Sequence, residues 1–263
     1  MAQRGTVSYR EAMQLHPFLV ASLFVLAACS APQVAASEPV VPPQPAPPRA
    51  NTAIVPATRT DPWILERQAE CVRRARESAP ASVIFVGDSI TQGWEDGGAE
   101  HWVRAFAPLG ALNLGVSGDR TENVLWRLEQ APLGRLQPKA IVLLIGTNNL
   151  GHGTHTGEET LAGVRRVIET LRQQVPAARL LVLEVFPRGE RFHALRGELA
   201  QLNQALRAHA AELGCEVLPL GDRWVQSDGS ISNLDMPDYL HLSSAAYGQW
   251  ADALEPILRA VPR

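Results

Sequence analysis

The chain contains few of the residues that define several common protein classes. Cysteine occurs only three times in 263 residues, which is too few for a disulfide-rich scaffold or a four-thiolate zinc site. Lysine occurs once, at Lys139, and 24 basic residues against 27 acidic ones leave a net charge of −3. Because nucleic-acid binding normally requires an excess of basic residues, no nucleic-acid partner is expected. No apolar run reaches the ~20 residues that span a bilayer.

The N-terminus has the pattern of a secretory leader. An unbroken apolar stretch, Phe18–Ala28, follows two arginines and ends directly before Cys29. The last four residues, Leu26–Cys29, resemble the lipobox of bacterial lipoprotein signal peptides, in which cleavage precedes a lipidated cysteine. We therefore expect residues 1–28 to be a leader and the protein to be anchored in the bacterial cell envelope through Cys29. An ordinary secretory signal, giving a secreted or periplasmic protein, and a buried helix remain as alternatives.

A proline-rich segment follows the leader. Eight prolines fall between Ser30 and Thr60, and proline fixes φ and removes a backbone donor. This composition favours an extended linker over a helix or strand. The sequence therefore predicts a tether over residues 29–60 and a folded domain over residues 61–263.

From Asp61 onward, apolar strand patterns alternate with helical ones. Two of the strands are solidly apolar, as strands buried on both faces should be. Strands separated by helices pair in parallel through right-handed crossovers. We predict an α/β fold, a three-layer α/β/α sandwich around a mainly parallel five-stranded sheet. The predicted strands are Ser82–Val86, Ala111–Leu114, Ala140–Ile145, Arg179–Val185 and Glu216–Leu220, and helices are expected over Asp61–Ser78 and from about Ser243 to Ala260.

Polar residues gather at three strand ends and in one late loop. They lie in Gly87–Gly93, Gly115–Arg120, Gly146–Asn149 and Asp238–His241. In sheets of this kind ligands bind beyond the carboxyl ends of the strands. Acyl transfer needs a nucleophilic oxygen, a base and donors for an oxyanion. Together, the four segments contain residues of all three kinds.

These segments resemble the conserved blocks of the SGNH (GDSL-type) hydrolases. Gly115–Leu128, with Gly146–Asn149 and Asp238–Leu242, is most similar to the branch that contains the catalytic subunits of intracellular platelet-activating-factor acetylhydrolase. The similarity covers roughly Trp63 to Leu258. It implies a flavodoxin-like fold and serine-dependent ester hydrolysis without a metal or other cofactor.

The resemblance also implies roles for individual residues. Ser89 is the expected nucleophile, His241 the general base, and Asp238 the residue that orients the imidazole. The expected oxyanion donors are the N–H groups of Ser89 and Gly115 and the side-chain amide of Asn148. An aspartate and a histidine three residues apart can also touch each other on one turn, independently of the resemblance.

The resemblance indicates the type of reaction more closely than it indicates the substrate. By analogy, Ile90, Thr147 and Leu240 are expected to line an acyl pocket that suits acetyl or another short chain. The expected partner is a small or polymer-borne acyl ester, such as an acetylated glycan. Contact with a membrane is expected only through the lipid anchor, and the resembling enzymes suggest a possible homodimer.

Each assignment has an alternative that the sequence leaves open. Ser89 alone could cap a helix, and Asp238 with His241 could be a surface capping pair. A longer acyl preference, as in a lysophospholipase or thioesterase, is the alternative enzyme. A lipid-anchored glycan-binding module without turnover is the alternative outside the enzymes.

Other histidines and cysteines give weaker signals. His152 and His155 are three residues apart, but no nearby pattern completes a zinc set, so no metal site is expected. Cys71 and Cys215 could pair in an oxidising compartment or remain separate thiols.

Overall fold

A parallel sheet forms the centre of the protein. The computed structural model describes residues 49–78 and 80–261. Its five strands lie in the order β2-β1-β3-β4-β5, and every neighbouring pair is parallel. The predicted α/β sandwich with a five-stranded parallel sheet is therefore confirmed. The strands are β1 (Val83–Gly87), β2 (Ala111–Gly115), β3 (Ala140–Leu144), β4 (Arg179–Leu183) and β5 (Glu216–Leu218).

Helices connect the strands and cover the sheet. Five long ones carry most of the packing, and three short ones follow strand ends or turns. The helices are α1 (Pro62–Glu77), α2 (Ser89–Gln92), α3 (Ala99–Ala105), α4 (Thr121–Gln130), α5 (Thr147–Gly151), α6 (Gly157–Gln174), α7 (Ala194–His209) and α8 (Ser244–Arg259). The two predicted terminal helices agree with α1 and α8 to within one residue at each end, and the five predicted strands all exist.

Alternate residues of each central strand face opposite layers. Ile84 and Val86 of β1 join a core cluster with residues of α1, α4, α6 and α7. Val83 and Phe85 join a second cluster with residues of α8 and the end of α3. Since side chains alternate across a strand, a strand buried on both faces is apolar throughout. This explains why these segments show continuous apolar runs.

An aromatic cluster fills the second layer below the loop that follows β1. Trp94 is 1% exposed, and its ring centroid lies 4.7 Å from those of both Tyr247 and Trp250. Trp102 packs against Phe85 with a centroid separation of 5.0 Å. Aromatic pairs at such distances stabilise a core beyond their buried area. Trp94 and Trp102 therefore serve packing within this layer.

The residues just before α1 pack onto the domain. Ala53 is fully buried within a short helical turn, and its carbonyl accepts a hydrogen bond of 2.8 Å from Thr121 Oγ1. Ala57 accepts one of 2.9 Å from Asn123 Nδ2. The folded domain was expected to begin at Asp61, but the packed structure extends back to these residues. Proline content alone could not reveal these contacts, because their partners lie more than 60 residues away.

We expect residues 49–60 to stabilise the domain measurably. A third hydrogen bond joins the Ala57 N–H to the Glu122 carbonyl at 3.0 Å. Since roughly 1 kcal/mol is typical for each of the three, a fragment that begins at Arg49 should have a free energy of unfolding about 3 kcal/mol higher than one that begins at Asp61. For a domain of this size the melting temperature should differ by roughly 6–12 °C. Thermal unfolding followed by circular dichroism measures the difference. Identical melting temperatures would show that these contacts contribute no stability.

Candidate active site

The serine of the segment Gly87–Gly93 lies where β1 turns sharply into α2. Ser89 is the first residue of α2, and the Asp88 side chain caps the helix by accepting the Ile90 N–H at 3.0 Å. Gly87 must be glycine, because a Cβ there would lie 2.2 Å from Thr91 Oγ1. The turn thus presents the Ser89 hydroxyl at the carboxyl edge of the sheet, as the motif predicted.

The aspartate and histidine of the late loop form one compact hydrogen-bonded turn. Asp238 Oδ1 accepts the N–H groups of Leu240 at 3.0 Å and His241 at 2.7 Å. Asp238 Oδ2 lies 2.6 Å from His241 Nδ1. Between them, Tyr239 has φ of +59°, a left-handed conformation that is uncommon for a residue other than glycine. The strained residue turns the chain so that Asp238 reaches both the backbone and the ring of His241.

The two segments meet at the imidazole. Ser89 Oγ lies 2.8 Å from His241 Nε2, although the residues are 152 positions apart. The His241 side chain is 45% exposed, so a substrate can reach this contact from solvent. The structure therefore brings Ser89, His241 and Asp238 together in a continuous hydrogen-bonded chain.

The aspartate of this chain is held in its charged form. Partial burial raises the pKa of Asp238, but hydrogen bonds from the side chain and backbone of His241 outweigh it and leave the pKa below its ordinary value. A carboxylate beside Nδ1 favours the tautomer with the proton on Nδ1. The Nε2 lone pair then faces the Ser89 hydroxyl.

The expected oxyanion donors differ in their availability. The Ser89 N–H has no acceptor among the described residues. One hydrogen of the Asn148 amide is donated to the Asp119 carbonyl at 2.9 Å, which leaves the other. The single Gly115 N–H, in contrast, is donated to Asn113 Oδ1 at 2.9 Å. Gly115 can join an oxyanion hole only by sharing or exchanging that bond.

Asn113 is a structural residue that was not among the residues predicted for the site. Besides accepting from Gly115, it donates through Nδ2 to the Thr91 carbonyl at 3.0 Å. It thereby links the end of β2 to the helix that carries Ser89. A signal was present, since Asn113 stands inside an apolar strand and a buried polar side chain requires partners.

Tyr247, from α8, holds the same short helix through a second hydrogen bond. Its hydroxyl donates to the Ile90 carbonyl at 2.7 Å, and its ring is buried. Burial raises the pKa of Tyr247, and the nearby Asp88 charge adds to the effect. The phenol therefore remains protonated and keeps its role as a donor.

Two of the three residues expected in the acyl pocket lie in the interior. Ile90 is 1% exposed within the second core cluster and Thr147 is 2% exposed. Leu240 is half-buried against that cluster. Of the three, only Leu240 retains appreciable open surface in this conformation.

The polar residues after β2 have structural partners. Asp119 is fully buried and forms an ion pair with Arg127, whose Nε lies 2.9 Å from Oδ2. Arg120 Nε lies 2.7 Å from Glu122 Oε1. The Ser117 N–H is donated to a glutamine side chain at 2.8 Å, in keeping with a turn. Burial raises the pKa of Asp119 to about 6, against the opposing charge and hydrogen bond of Arg127.

The remaining histidines and cysteines form no metal cluster within residues 49–78 and 80–261. His155 is buried, with Nε2 2.9 Å from Thr52 Oγ1 and Nδ1 3.1 Å from Asn149 Nδ2. Cys71 and Cys215 are both free thiols. In the same described part of the chain, no helix has the length and apolar character required to span a bilayer. Cys29 and the predicted leader lie outside the described residues.

Sequence and structure comparisons identify the family. The model of the GDSL-like lipase/acylhydrolase family matches residues 85–249. Platelet-activating factor acetylhydrolase IB subunit alpha1 of Homo sapiens is 40% identical over 177 residues, covering 67% of this chain and 74% of that one. The alpha2 subunit of Gallus gallus is 39% identical over 177 residues, with coverages of 67% and 75%.

Solved structures share the fold. A GDSL-like lipase from Bacteroides thetaiotaomicron has a TM-score of 0.63 at 17% identity, covering 74% of this chain and 98% of that one. An acetylxylan esterase from Geobacillus stearothermophilus has a TM-score of 0.54 at 17% identity, with coverages of 68% and 94%.

The family model and the relatives of about 40% identity show that the chain belongs to the GDSL-like lipase/acylhydrolase family. The prediction of a carboxylic ester hydrolase is thereby confirmed.

Asp88, the residue directly before Ser89, carries a buried carboxyl group. It is fully buried, and its Oδ2 has no partner among the described residues. Burial raises the pKa of this carboxyl from 3.8 to about 7, with a further contribution from the Asp119 charge. The folded protein thus resists ionisation of Asp88 over a range in which the unfolded chain ionises freely.

We expect Asp88→Asn to remove a pH-dependent loss of stability. Well below pH 4 the Asp88 carboxyl is protonated in both the folded and the unfolded state, so it does not change the free energy of unfolding. Between about pH 4 and 7 the unfolded chain releases the proton and the folded protein does not, so the wild type loses stability as pH rises, by on the order of 4 kcal/mol. Asparagine can still accept the Ile90 N–H.

Urea unfolding of wild type and variant between pH 4 and 8 measures this effect. The free energy of unfolding of Asp88→Asn minus that of wild type should increase with pH and level off above about pH 7. Exposed Asp96, changed to asparagine, is the matched control and should run parallel to wild type. Parallel curves for Asp88→Asn would contradict the account of Asp88.

Proposed function

We propose that the protein is a serine esterase that removes short acyl groups, above all acetyl, from an alcohol. Ser89 is the nucleophile, His241 the general base and Asp238 its orienting carboxylate. The single observation that carries this proposal is the chain of contacts at 2.6 and 2.8 Å that joins the three side chains. A nucleophile, a base and a third group in this order match the general requirement for an activated serine.

The reaction proceeds in two halves. Ser89 Oγ forms a bond to the ester carbon as its proton passes to His241 Nε2, and the carbonyl oxygen becomes an oxyanion. The carbon–alcohol bond then breaks, and the same proton goes to the leaving alcohol. Water repeats the sequence on the acyl-serine and releases the acid. Throughout, the Asp238 carboxylate stabilises the imidazolium.

The oxyanion is stabilised by donors that are fixed before the reaction. The Ser89 N–H and the second hydrogen of the Asn148 amide provide two of them, because neither is committed to another acceptor. Gly115 provides a third where its N–H is shared between Asn113 Oδ1 and the oxyanion. Donors held in place by a rigid fold need no reorganisation as charge develops.

A short acyl group fits the surroundings of Ser89 best. Ile90 and Thr147 are packed into the interior, so a long acyl chain would have to displace core side chains. The named activity of the acetylhydrolase relatives, which are about 40% identical, points in the same direction. On the alcohol side the exposed triad is compatible with a small ester or with an ester on a polymer such as a glycan.

The proposal is tested with p-nitrophenyl acetate, octanoate and palmitate. Wild type should prefer the acetate. Ser89→Ala should lose at least ~10⁴-fold in kcat, since it lacks the nucleophile. Asn148→Ala should lose roughly 10²- to 10³-fold, the usual effect of removing one oxyanion donor. Ser117→Ala, the matched control, should retain wild-type rates.

The other outcomes correspond to the alternatives. A preference for octanoate or palmitate would favour a lysophospholipase or thioesterase. Hydrolysis of none of the esters, together with tight binding of an acetylated glycan, would favour a binding module. Unchanged activity in Ser89→Ala would remove the nucleophile assignment.

We further propose that Cys29 carries a lipid anchor that tethers the esterase in the bacterial cell envelope. The support is the apolar stretch before Cys29 and the proline-rich segment after it. Cys29→Ser should shift the protein from the membrane to the soluble fraction on cell fractionation. Retention of that variant in the membrane fraction would contradict the anchor.

A further inference from the structure

Arg188 is a half-buried cation beside the proposed active site. It follows Pro187 in the loop after β4, and its Nη1 makes only long contacts, 3.3 Å to Thr147 Oγ1 and 3.4 Å to the Thr147 carbonyl. No carboxylate oxygen of the described residues lies within 4.0 Å of its guanidinium. Nearby Arg59 and Arg120, in contrast, are both paired, with Asp61 and Glu122.

The backbone on either side of the Arg188 side chain is firmly held. The Arg188 carbonyl accepts from His193 Nε2 and Arg196 Nε, each at 3.2 Å. The Gly189 N–H donates to the Tyr239 carbonyl at 2.8 Å. Because Tyr239 lies between Asp238 and His241, this bond ties the segment that carries Arg188 to the turn that carries these two residues.

The guanidinium contacts a residue that borders an open groove. A Cβ on Gly151 would lie 2.1 Å from Arg188 Nη1, so the guanidinium rests directly on this glycine. Gly151 and His193 both line a groove of about 950 Å³ that runs between α5 and α7. Glu158 and Glu198 also line this groove, so Arg188 supplies a positive charge at the Gly151 end of a groove that otherwise carries negative charge.

The electrostatic surroundings leave the cation unmatched. Burial lowers the pKa of Arg188, and the charges of Asp238 and Asp88 only partly oppose this. Asp238 is already bound to His241, and Asp88 is enclosed in the turn at Ser89. Besides partial burial, the charges of Arg120, Arg188 and Arg59 lower the pKa of His152. Among the described residues, no carboxylate therefore forms a direct ion pair with Arg188.

We propose that Arg188 is an anion subsite that selects esters whose alcohol part carries a carboxylate or a phosphate. This inference rests on the proposed function and adds the class of the alcohol. A planar guanidinium with unengaged N–H groups binds either anion through paired, charge-assisted hydrogen bonds. Because Arg188 contacts Thr147 and the neighbouring Gly189 is bonded to Tyr239, an anion on the guanidinium lies beside the turn that carries Asp238 and His241.

The test uses aryl acetates that differ only in one ring substituent. The substituents are a carboxylate, its neutral carboxamide isostere and a phosphate, each in the meta and para positions. For the wild-type full chain, KM should be about 10- to 100-fold lower for the better anionic isomer than for the carboxamide, as for a charge-assisted hydrogen bond. Comparing carboxylate with phosphate shows which anion the subsite prefers.

Variants assign the preference to Arg188. Arg188→Gln should reduce the anion-to-carboxamide ratio of KM to about one, with the change in KM rather than kcat, and Arg188→Lys should restore part of it. Arg191→Gln, an exposed arginine of the same loop, is the matched control and should keep the wild-type ratio. Melting temperatures of all variants establish that they are folded.

Three outcomes would overturn the inference. Wild type could treat anionic and neutral esters alike, the preference could survive in Arg188→Gln, or that variant could lose kcat equally on all esters, which would indicate a structural role. In each of these cases hydrolysis itself persists in wild type, so the proposed function stands. If wild type hydrolyses none of these esters and no p-nitrophenyl acetate, the proposed function fails and the subsite fails with it.

Discussion

A parallel sheet buried on both faces leaves its strand ends as the main places where the chain can present polar groups, and the proposed active site depends on this constraint. The order β2-β1-β3 sets the carboxyl ends of three strands side by side, with Gly87 opposite both Gly115 and Leu144. Each strand continues directly into a segment with a proposed role. Only the turn with Asp238 and His241 comes from elsewhere, immediately before α8.

Crowding at this edge has an electrostatic cost. Asp88 and Asp119 are both fully buried, and burial raises the pKa of each, to about 7 and about 6. Arg127 compensates Asp119 through a direct ion pair and also donates to the Leu114 carbonyl at 2.9 Å. Asp88 has no such partner among the described residues. The turn at Ser89 therefore combines a helix cap with a disfavoured charge, as expected where function limits stability.

The sequence predicted what local patterns determine. Continuous apolar runs located the strands, and the Asp-x-x-His spacing located the turn that contacts Ser89. It did not predict that Asn113 would engage the Gly115 N–H or that Ile90 would face the core. Nor did it predict the packing of Ala53 or the position of Arg188 against Gly151. All four depend on contacts between side chains and backbone that come together only in the folded chain, so no local pattern reports them.

The central claim is that the imidazole of His241 activates the hydroxyl of Ser89. Labelling with a fluorophosphonate, followed by peptide mass spectrometry, tests it most directly, because the reagent modifies only a serine activated in this way. We expect one adduct, on Ser89 of the wild type, and a labelling rate at least ~10³-fold lower in folded His241→Ala. An adduct on another residue, or equal labelling of Ser89 in both proteins, would contradict the account.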